Sequence, residues 1–101
     1  MTVDIKLNSE KGELNIRVSG RFDFSLHQDF RKASEMDTAA VKAIVVDLQS
    51  TDYIDSSALG MLLIMRDKVS NDKQSIRIIN AKPEVRKILQ IANFDKLFTV
   101  V

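Results

Sequence analysis

The chain has 101 residues, of which 45% are hydrophobic and 29% are charged, a composition typical of a folded domain rather than a disordered segment. Fifteen basic and fourteen acidic residues give a formal net charge of +1, and they form no basic block of the kind that binds nucleic acid. Cysteine is absent, which excludes disulfides, thiol catalysis and thiolate metal sites.

The first two predicted strands alternate apolar and polar residues. The apolar positions are Val3, Ile5, Leu7, Leu14, Ile16 and Val18. Because side chains on a strand alternate between the two faces of a sheet, this pattern predicts two half-buried strands. The turn-forming segment Ser9–Gly12 separates them, so we expect an antiparallel hairpin, and Gly20 is predicted to end the second strand.

The first predicted helix begins with a capping box. Ser25 is placed at the N-cap and Gln28 at the third helical position. Leu26, Phe30 and Ala33 follow at helical spacing, and the helix is expected to fade around residues 36–38.

The middle of the chain predicts a strand, a polar loop and a second helix. The strand, residues 43–48, contains the β-branched run Ile44–Val46, which predicts burial on both faces. A polar loop is expected from Asp47 to Ile54. A helix is expected from about Ser57 to Val69.

The last third predicts a strand at residues 76–79 and a helix that begins with Pro83 at its first position. Asn93 is predicted as its C-cap, and an apolar tail from Phe94 packs back onto the core. The order of elements predicts an α/β fold: one domain over residues 1–101, with a mixed sheet of about four to five strands packed against α-helices.

The most informative segment is Asp55–Gly60, at the junction between the polar loop and the second helix. Two hydroxyls beside a carboxylate fall at a predicted helix N-terminus, where unpaired backbone N–H groups and the helix dipole favour negative charge. A serine placed there can cap the helix, act as a nucleophile or accept a phosphate. The residues alone leave these three roles open.

Catalysis and metal binding find little support in the residue inventory. The single histidine, His27, lies at the start of the first helix and is interpreted as an exposed polar residue. The Gly-x-Ser-x-Gly pattern of hydrolases is missing around Ser56, and the three glycines cannot build a phosphate-binding loop. We therefore expect no enzyme activity, no catalytic residue, no metal and no cofactor.

The second helix permits two interpretations. Leu59, Leu62 and Leu63 form an ordinary buried stripe, whereas Met61, Ile64 and Met65 extend the apolar surface beyond it. One interpretation leaves part of this helix available to a partner, since methionine suits adaptable interfaces. The other buries the helix on most sides against the sheet.

Several segments together resemble the STAS domain family, specifically bacterial anti-sigma factor antagonists. The resemblance rests on Val45–Leu48 followed by Tyr53–Gly60, on Gly20–Asp23, and on the late segments Pro83–Leu89 and Phe94–Phe98. It covers nearly the whole chain. Ala58 stands where the family often has glycine, which leaves the role of Ser56 intact but argues against the sporulation and general-stress branches.

The resemblance implies a binding module controlled by phosphorylation. In this family the serine directly after the aspartate is the acceptor, which corresponds to Ser56 here, with Ser57 the less favoured acceptor. The implied partners are an anti-sigma factor that is itself a serine kinase of the histidine-kinase-like ATPase type, and a metal-dependent serine phosphatase. The unmodified form would sequester the kinase, and the phosphorylated form would release it.

A docking surface around Ser56 is expected to meet this partner. The predicted contact residues are Arg21, Phe22, Asp23, Phe24, Asp55, Ser57, Leu59 and Met61. Asp23 has two interpretations, either as part of that surface or as a turn residue only.

Two other functions remain possible from the sequence: a STAS regulator of a non-sigma target, such as a motility or biofilm signalling enzyme, and a sensor of a small ligand or nucleotide. The chain has no apolar run near the ~18 residues that span a bilayer, and residues 1–6 do not form a secretory signal. We therefore expect a cytoplasmic protein without a membrane or nucleic-acid partner.

Overall fold

The alternating segments form a mixed β-sheet, and the segments with helical spacing pack against it. The structure is a computed structural model that describes residues 2–8, 10–34, 43–69 and 76–100. Within them the strands are β1 (Thr2–Asn8), β2 (Glu13–Phe22), β3 (Ala43–Asp47), β4 (Thr51–Ile54), β5 (Ile76–Ile79) and β6 (Thr99–Val100). The helices are α1 (His27–Ser34), α2 (Ser56–Val69) and α3 (Pro83–Ile91), with 3-10 turns at Phe24–Leu26 and Phe94–Lys96.

The hairpin predicted from the sequence is confirmed. β1 pairs antiparallel with β2, and the register places Val3 opposite Val18 and Leu7 opposite Leu14. Gly12 in the turn has φ 63°, a conformation that glycine adopts without a steric penalty. The strands lie side by side in the order β1-β2-β3-β5-β6, and β4 pairs separately with the end of β2. Among the described strands, every pairing except the hairpin is parallel.

The core lies on one face of the sheet. Alternate residues of β2 are buried because they share that face, and they meet buried residues of α2 and α3. The buried hydrophobic cluster contains Leu14, Ile16, Val18, Phe22, Ile44, Val46, Leu48, Ile54, Ala58, Met61, Leu62, Met65, Ile76, Ile78, Val85, Leu89, Phe94 and Phe98. The predicted α/β class, a mixed sheet packed against helices, is therefore confirmed. The described sheet has six strands instead of the predicted four to five, because the predicted loop contains β4 and the predicted apolar tail contains β6.

β3 is buried on both of its faces, as its β-branched run predicts, but the two faces differ. Ile44 and Val46 belong to the core cluster that includes helix residues. Val45 is also buried, yet it lies outside that cluster and lines a shallow depression of about 210 Å³. The other residues that line the depression are Asp4, Lys6, Asn15, Ile16, Arg17, Asp47 and Ile79, so polar side chains of neighbouring strands surround Val45.

Two sequence predictions about strand boundaries are wrong. Gly20 does not end β2, because the strand continues to Phe22 after an irregularity in register between Gly20 and Arg21. Gly20 has φ 87°, which allows the backbone to change register there without strain. The predicted polar loop contains β4, whose four residues pair in parallel with the end of β2.

The helix ends show which turn predictions hold. Pro83 begins α3 as predicted. The prediction of Asn93 as the C-cap is wrong, because Ala92 is the C-cap and Asn93 follows it in the left-handed conformation with φ 61°. Ser25 is not the N-cap of the first helical segment: that segment begins with the 3-10 turn, whose N-cap is Asp23. The predicted fading of the helix near residues 36–38 lies outside the described residues, as do the side chains of its three apolar residues.

Candidate functional site

The carboxyl ends of β2 and β4 bring two separate sequence segments together. The parallel register places Arg21 opposite Tyr53 and Phe22 opposite Ile54. One step further, the Asp55 N–H donates a hydrogen bond of 3.3 Å to the Phe22 carbonyl. The turn that follows β2 therefore lies beside the start of α2, and the two halves of the predicted docking surface are neighbours.

Asp55, not a serine, caps α2. Its Oδ1 accepts a hydrogen bond of 2.9 Å from the Ala58 N–H, and its carbonyl accepts one of 3.2 Å from the Leu59 N–H. Ser56 is consequently the first helical residue. Aspartate and serine are comparably good N-caps, so the sequence did not distinguish the two. The capping role that the sequence left open for Ser56 and Ser57 belongs to Asp55.

Ser56 is exposed at the first position of α2, whereas Ser57 is half-buried. Backbone N–H groups of the first helical turn and the positive end of the helix dipole act at this point, and both stabilise an added negative charge. Of the two serines, Ser56 is therefore the more accessible residue.

Asp23 is fixed by a compact set of hydrogen bonds. Its Oδ1 accepts from the Ser25 hydroxyl at 2.6 Å and from the Ser25 N–H at 3.0 Å, and its Oδ2 lies 3.5 Å from Arg21 Nε. The Ser25 hydroxyl, the Ser25 N–H and the Arg21 guanidinium lower the pKa of this carboxyl below its ordinary value of 3.8. Asp23 is therefore both a turn residue and a fixed negative charge beside the start of α2.

Two ring contacts complete this side of the molecule. The Arg21 guanidinium carbon lies 4.6 Å from the centroid of the Tyr53 ring, within the range of a cation–π interaction. The Phe24 ring stacks on His27 with centroids 5.1 Å apart, and Phe24 is 65% exposed. We refer to Arg21, Asp23, Phe24, Tyr53 and Ser56 together as the strand-end face.

Sequence reasoning missed Tyr53 and missed the contact that His27 makes, although it placed His27 correctly as exposed. Tyr53 was assigned to a loop. Tyr53 lies two residues before Asp55, and this position was the available signal. It places Tyr53 at the site only when residues 51–54 are known to pair with β2, because that pairing puts Tyr53 opposite Arg21.

Two predicted contact residues lie in the core instead of on the surface. Phe22 is fully buried because it continues the alternation of Leu14, Ile16 and Val18 on the core face of β2. Met61 is 8% exposed and belongs to the same cluster. Leu59 is partly buried and packs against the core, so its contribution to a surface is limited.

The burial pattern also decides between the two interpretations of α2. Met61 and Met65 are both buried, and Ile64 is the one large apolar residue of α2 that is markedly exposed in its described portion, at 57%. A single exposed apolar side chain is ordinary on a protein surface. The helix is therefore buried on most of its sides against the sheet.

No group of three metal-ligating side chains occurs among the residues that the structure describes. Of the helices in those same ranges, none is both long enough and apolar enough to cross a membrane. At the start of α2 the exposed residue Ser56 follows the Asp55 cap, and the turn that carries Arg21, Asp23 and Phe24 lies beside it through the Asp55 N–H to Phe22 carbonyl hydrogen bond.

Comparison with known proteins finds one family over almost the whole chain. The model of the STAS domain family matches residues 4–101. A STAS-domain containing protein of Pseudomonas aeruginosa is 46% identical over 99% of this chain and 99% of its own length. An anti-sigma F factor antagonist of Paenibacillus polymyxa is 24% identical over 99% of this chain and 87% of its own length.

Among solved structures, the Bacillus cell fate determinant SpoIIAA in its phosphorylated form is similar in fold, with a TM-score of 0.75. The match has 18% identity and covers 99% of this chain and 91% of that chain.

Proposed function

Because the chain belongs to the STAS domain family, we propose that it is a phosphorylation-controlled binding switch of the anti-sigma factor antagonist type. The unmodified form binds an anti-sigma factor through the strand-end face, and phosphorylation of Ser56 releases that partner. In this proposal residues 1–101 act as one domain in the cytoplasm. The protein is a substrate of enzymes rather than an enzyme.

The observation that carries the proposal is the position of Ser56. Ser56 is an exposed residue at the first position of α2, and the capping of that helix is already performed by Asp55. Modification of Ser56 would therefore leave the capping hydrogen bond of Asp55 in place. The anti-sigma F factor antagonist of Paenibacillus polymyxa among the similar proteins supports the choice of partner class.

The strand-end face has the composition of a protein-binding surface. Binding energy in interfaces concentrates in aromatic residues and arginine, and this face exposes Phe24, Tyr53 and Arg21. Asp23 orients Arg21 through their ion pair. Phe24 is the best candidate for an anchor, because 65% of it is exposed beside the position where modification would occur.

Phosphorylation would release the partner through local electrostatics. A phosphate adds roughly −1.5 to −2 charges at one point. In the free protein the first turn of α2 offsets part of that charge. A partner covering Ser56 would have to remove water from the phosphate beside Asp55 and Asp23, and an unpaired buried ion costs several kcal/mol. That penalty is a substantial fraction of the roughly 8 kcal/mol of a micromolar complex, and each 1.4 kcal/mol of it weakens binding about tenfold.

The modifying enzymes belong to the same proposal. The kinase is the anti-sigma factor itself, of the histidine-kinase-like ATPase type, and a metal-dependent serine phosphatase restores the unmodified form. The second candidate, which the family resemblance also allows, is a regulator of a non-sigma target such as a motility or biofilm signalling enzyme. Both candidates use Ser56 in the same way.

The decisive experiment is affinity capture with the unmodified protein and identification of the retained kinase by mass spectrometry. Ser56→Ala should retain the partner, and Ser56→Asp should lose it. Ser57→Asp is the matched control, since it adds the same charge one residue away at a half-buried position. Full retention by Ser56→Asp, with Ser57→Asp equally retained, contradicts the switch.

A further inference from the structure

One edge of the sheet consists of β1, the first strand in the order β1-β2-β3-β5-β6. β1 pairs with β2 over seven residues on one side. On its other side no described strand pairs with it, so alternate backbone N–H and C=O groups point outward there. An edge of seven residues is long enough to accept another strand.

The sequence of β1 is self-complementary when two copies run antiparallel about Ile5. In that register Asp4 lies opposite Lys6 of the second copy, and Lys6 lies opposite Asp4 of the second copy. All seven residues from Thr2 to Asn8 then find a partner. Opposite charges directly across an antiparallel pair stabilise it, and like charges destabilise it.

The neighbouring registers are disfavoured. A shift of two residues, which keeps the core face aligned, places either Asp4 opposite Asp4 or Lys6 opposite Lys6 of the second copy. Such a shift also reduces the paired residues from seven to five. Shifts of one residue move the apolar set of one copy to the opposite face of the sheet. Charge and length therefore select the same register.

The apolar face of β1 fits this arrangement as well. Val3 and Ile5 pack partly against the core, whereas Leu7 is 42% exposed and lies outside the cluster. Pairing about Ile5 places Leu7 opposite Val3 of the second copy and Ile5 opposite its own counterpart. The partly buried row of each copy would continue into the other, and Leu7 would gain an apolar neighbour.

Charges on an edge strand commonly prevent pairing. Here, however, neither Asp4 nor Lys6 belongs to an ion pair recorded among the described residues, although both lie on the open face of the sheet. Their opposite signs at symmetric positions about Ile5 create a match in one register. A two-fold symmetric pair of this kind closes on itself and leaves no further edge at β1.

We propose that two copies of this chain associate through β1 to form a two-fold symmetric dimer with one continuous sheet. The dimer does not involve Ser56, so it stands or falls independently of the binding switch. The test uses the full chain carrying Ser56→Ala, which keeps the modification state uniform. Sedimentation from about 10 µM to about 1 mM should show a dimer of twice the 11.4 kDa chain mass.

Charge reversals test the register. Asp4→Lys places lysines opposite each other, Lys6→Asp places aspartates opposite each other, and each variant alone should dimerise at least about tenfold more weakly. An equal mixture of the two variants restores opposite charges at both positions, so it should recover a heterodimer. The controls are Glu84→Lys and Lys87→Asp on α3, which make the same changes of net charge at exposed positions far along the chain.

Three results would overturn the proposal: a monomer at every concentration, single reversals that dimerise as tightly as the parent chain, or a mixture that associates no better than its components. Circular dichroism of each variant establishes that the chain is folded. Because Asp4 and Lys6 are exposed, neither reversal removes a core contact.

Discussion

At the residue scale, the start of α2 depends on the Asp55 carboxylate and its hydrogen bond of 2.9 Å to the Ala58 N–H. The same carboxylate stands beside the Ser56 hydroxyl, so it has a structural task and an electrostatic one. Two substitutions distinguish these roles. Alanine removes both the cap and the charge, whereas asparagine caps a helix as well as aspartate does but carries no charge.

Asp55→Ala should lower the free energy of unfolding by about 0.5–2 kcal/mol, because the Ala58 N–H loses its cap. We also expect slower phosphorylation of Ser56 by its kinase, since this carboxylate is adjacent to the acceptor. Urea denaturation and intact-mass kinetics measure the two effects.

Asp55→Asn is the control that keeps the cap. Its stability should stay close to that of the parent chain, and the loss of charge should weaken the release of the partner after phosphorylation. Equal destabilisation by alanine and asparagine would contradict the capping role.

Asp23 gives a prediction about pH. Its pKa is lowered in the folded chain, chiefly by the Ser25 hydroxyl and N–H and also by Arg21, so its contribution to stability is present above the unfolded value near 3.8 and decreases as the pH falls through the lowered folded value. Relative to Asp23→Asn, the parent chain should be more stable at pH 7, and the difference should shrink below about pH 4.

Urea midpoints of both proteins between pH 7 and pH 2.5 measure that difference. A gap that stays constant with pH would show that the charge of Asp23 contributes nothing.

At the scale of elements, β4 is the piece that joins the site to the sheet. The Thr51 side chain is fully buried, and its hydroxyl donates a hydrogen bond of 2.8 Å to the Val18 carbonyl of β2. At the other side of the strand, Lys82 before α3 forms an ion pair with Asp52. β4 is thus held to β2 and to the start of α3.

Thr51→Val should lower the free energy of unfolding by about 1–3 kcal/mol, because the shape is kept and a buried carbonyl loses its donor. Thr51→Ser retains the hydroxyl and serves as the control for the hydrogen bond. Guanidinium denaturation of the two variants measures the contrast, and a valine variant as stable as the parent would contradict it.

The irregularity in β2 provides a paired glycine test. Gly20→Ala places a side chain at φ 87° and should destabilise the fold by roughly 1–2 kcal/mol. Gly60→Ala should instead stabilise it by up to about 1 kcal/mol, because Gly60 lies inside α2 and a Cβ there meets no atom within 4 Å. Thermal unfolding measures the change in melting temperature for both variants. Equal changes in the two variants would contradict the proposed difference between the two glycines.

At the scale of the whole molecule, the sheet and its helices could be predicted from local patterns. Apolar residues at every second position specify β1 and β2 and their antiparallel pairing, and Pro83 with its following apolar stripe specifies α3. These patterns lie within the elements themselves, so they can be recognised without knowing which distant segments the elements contact.

The remaining features depend on contacts between distant segments. Residues 51–54 alternate poorly, with buried residues at both ends and exposed ones between, so the pairing with β2 is invisible locally. Aspartate and serine are equally good caps, so the first residue of α2 was ambiguous.

The burial of Phe22 and Met61 was within reach of the sequence. Phe22 continues the parity of Leu14, Ile16 and Val18, and Met61 lies at helical spacing from Ala58 and Met65. The family resemblance placed Phe22 on a surface, and the interpretation of Met61 as an extension of the apolar stripe placed it there too, although periodicity favours the core for both residues.

Phosphorylation should leave this architecture unchanged. Ser56 is exposed, so a phosphate added there displaces no residue of the core. In amide NMR spectra of the phosphorylated chain, shift changes should concentrate in residues 21–27 and 53–59. Changes spread over β1, β3 and β5 would instead indicate a rearranged fold, and the Ser57→Asp variant provides the reference for a charge added nearby.

β2 ends in the turn of the strand-end face and also supplies the centre of the core, pairing first with β3 and then with β4. A partner that binds at that turn should stabilise the whole fold, because unfolding of β2 would remove its binding site. A free partner concentration of about a hundred times the dissociation constant raises the free energy of unfolding by about 2.7 kcal/mol. Measuring the melting temperature of this chain by fluorescence, in the presence of each purified candidate protein, could therefore identify its binding partner without labelling this chain.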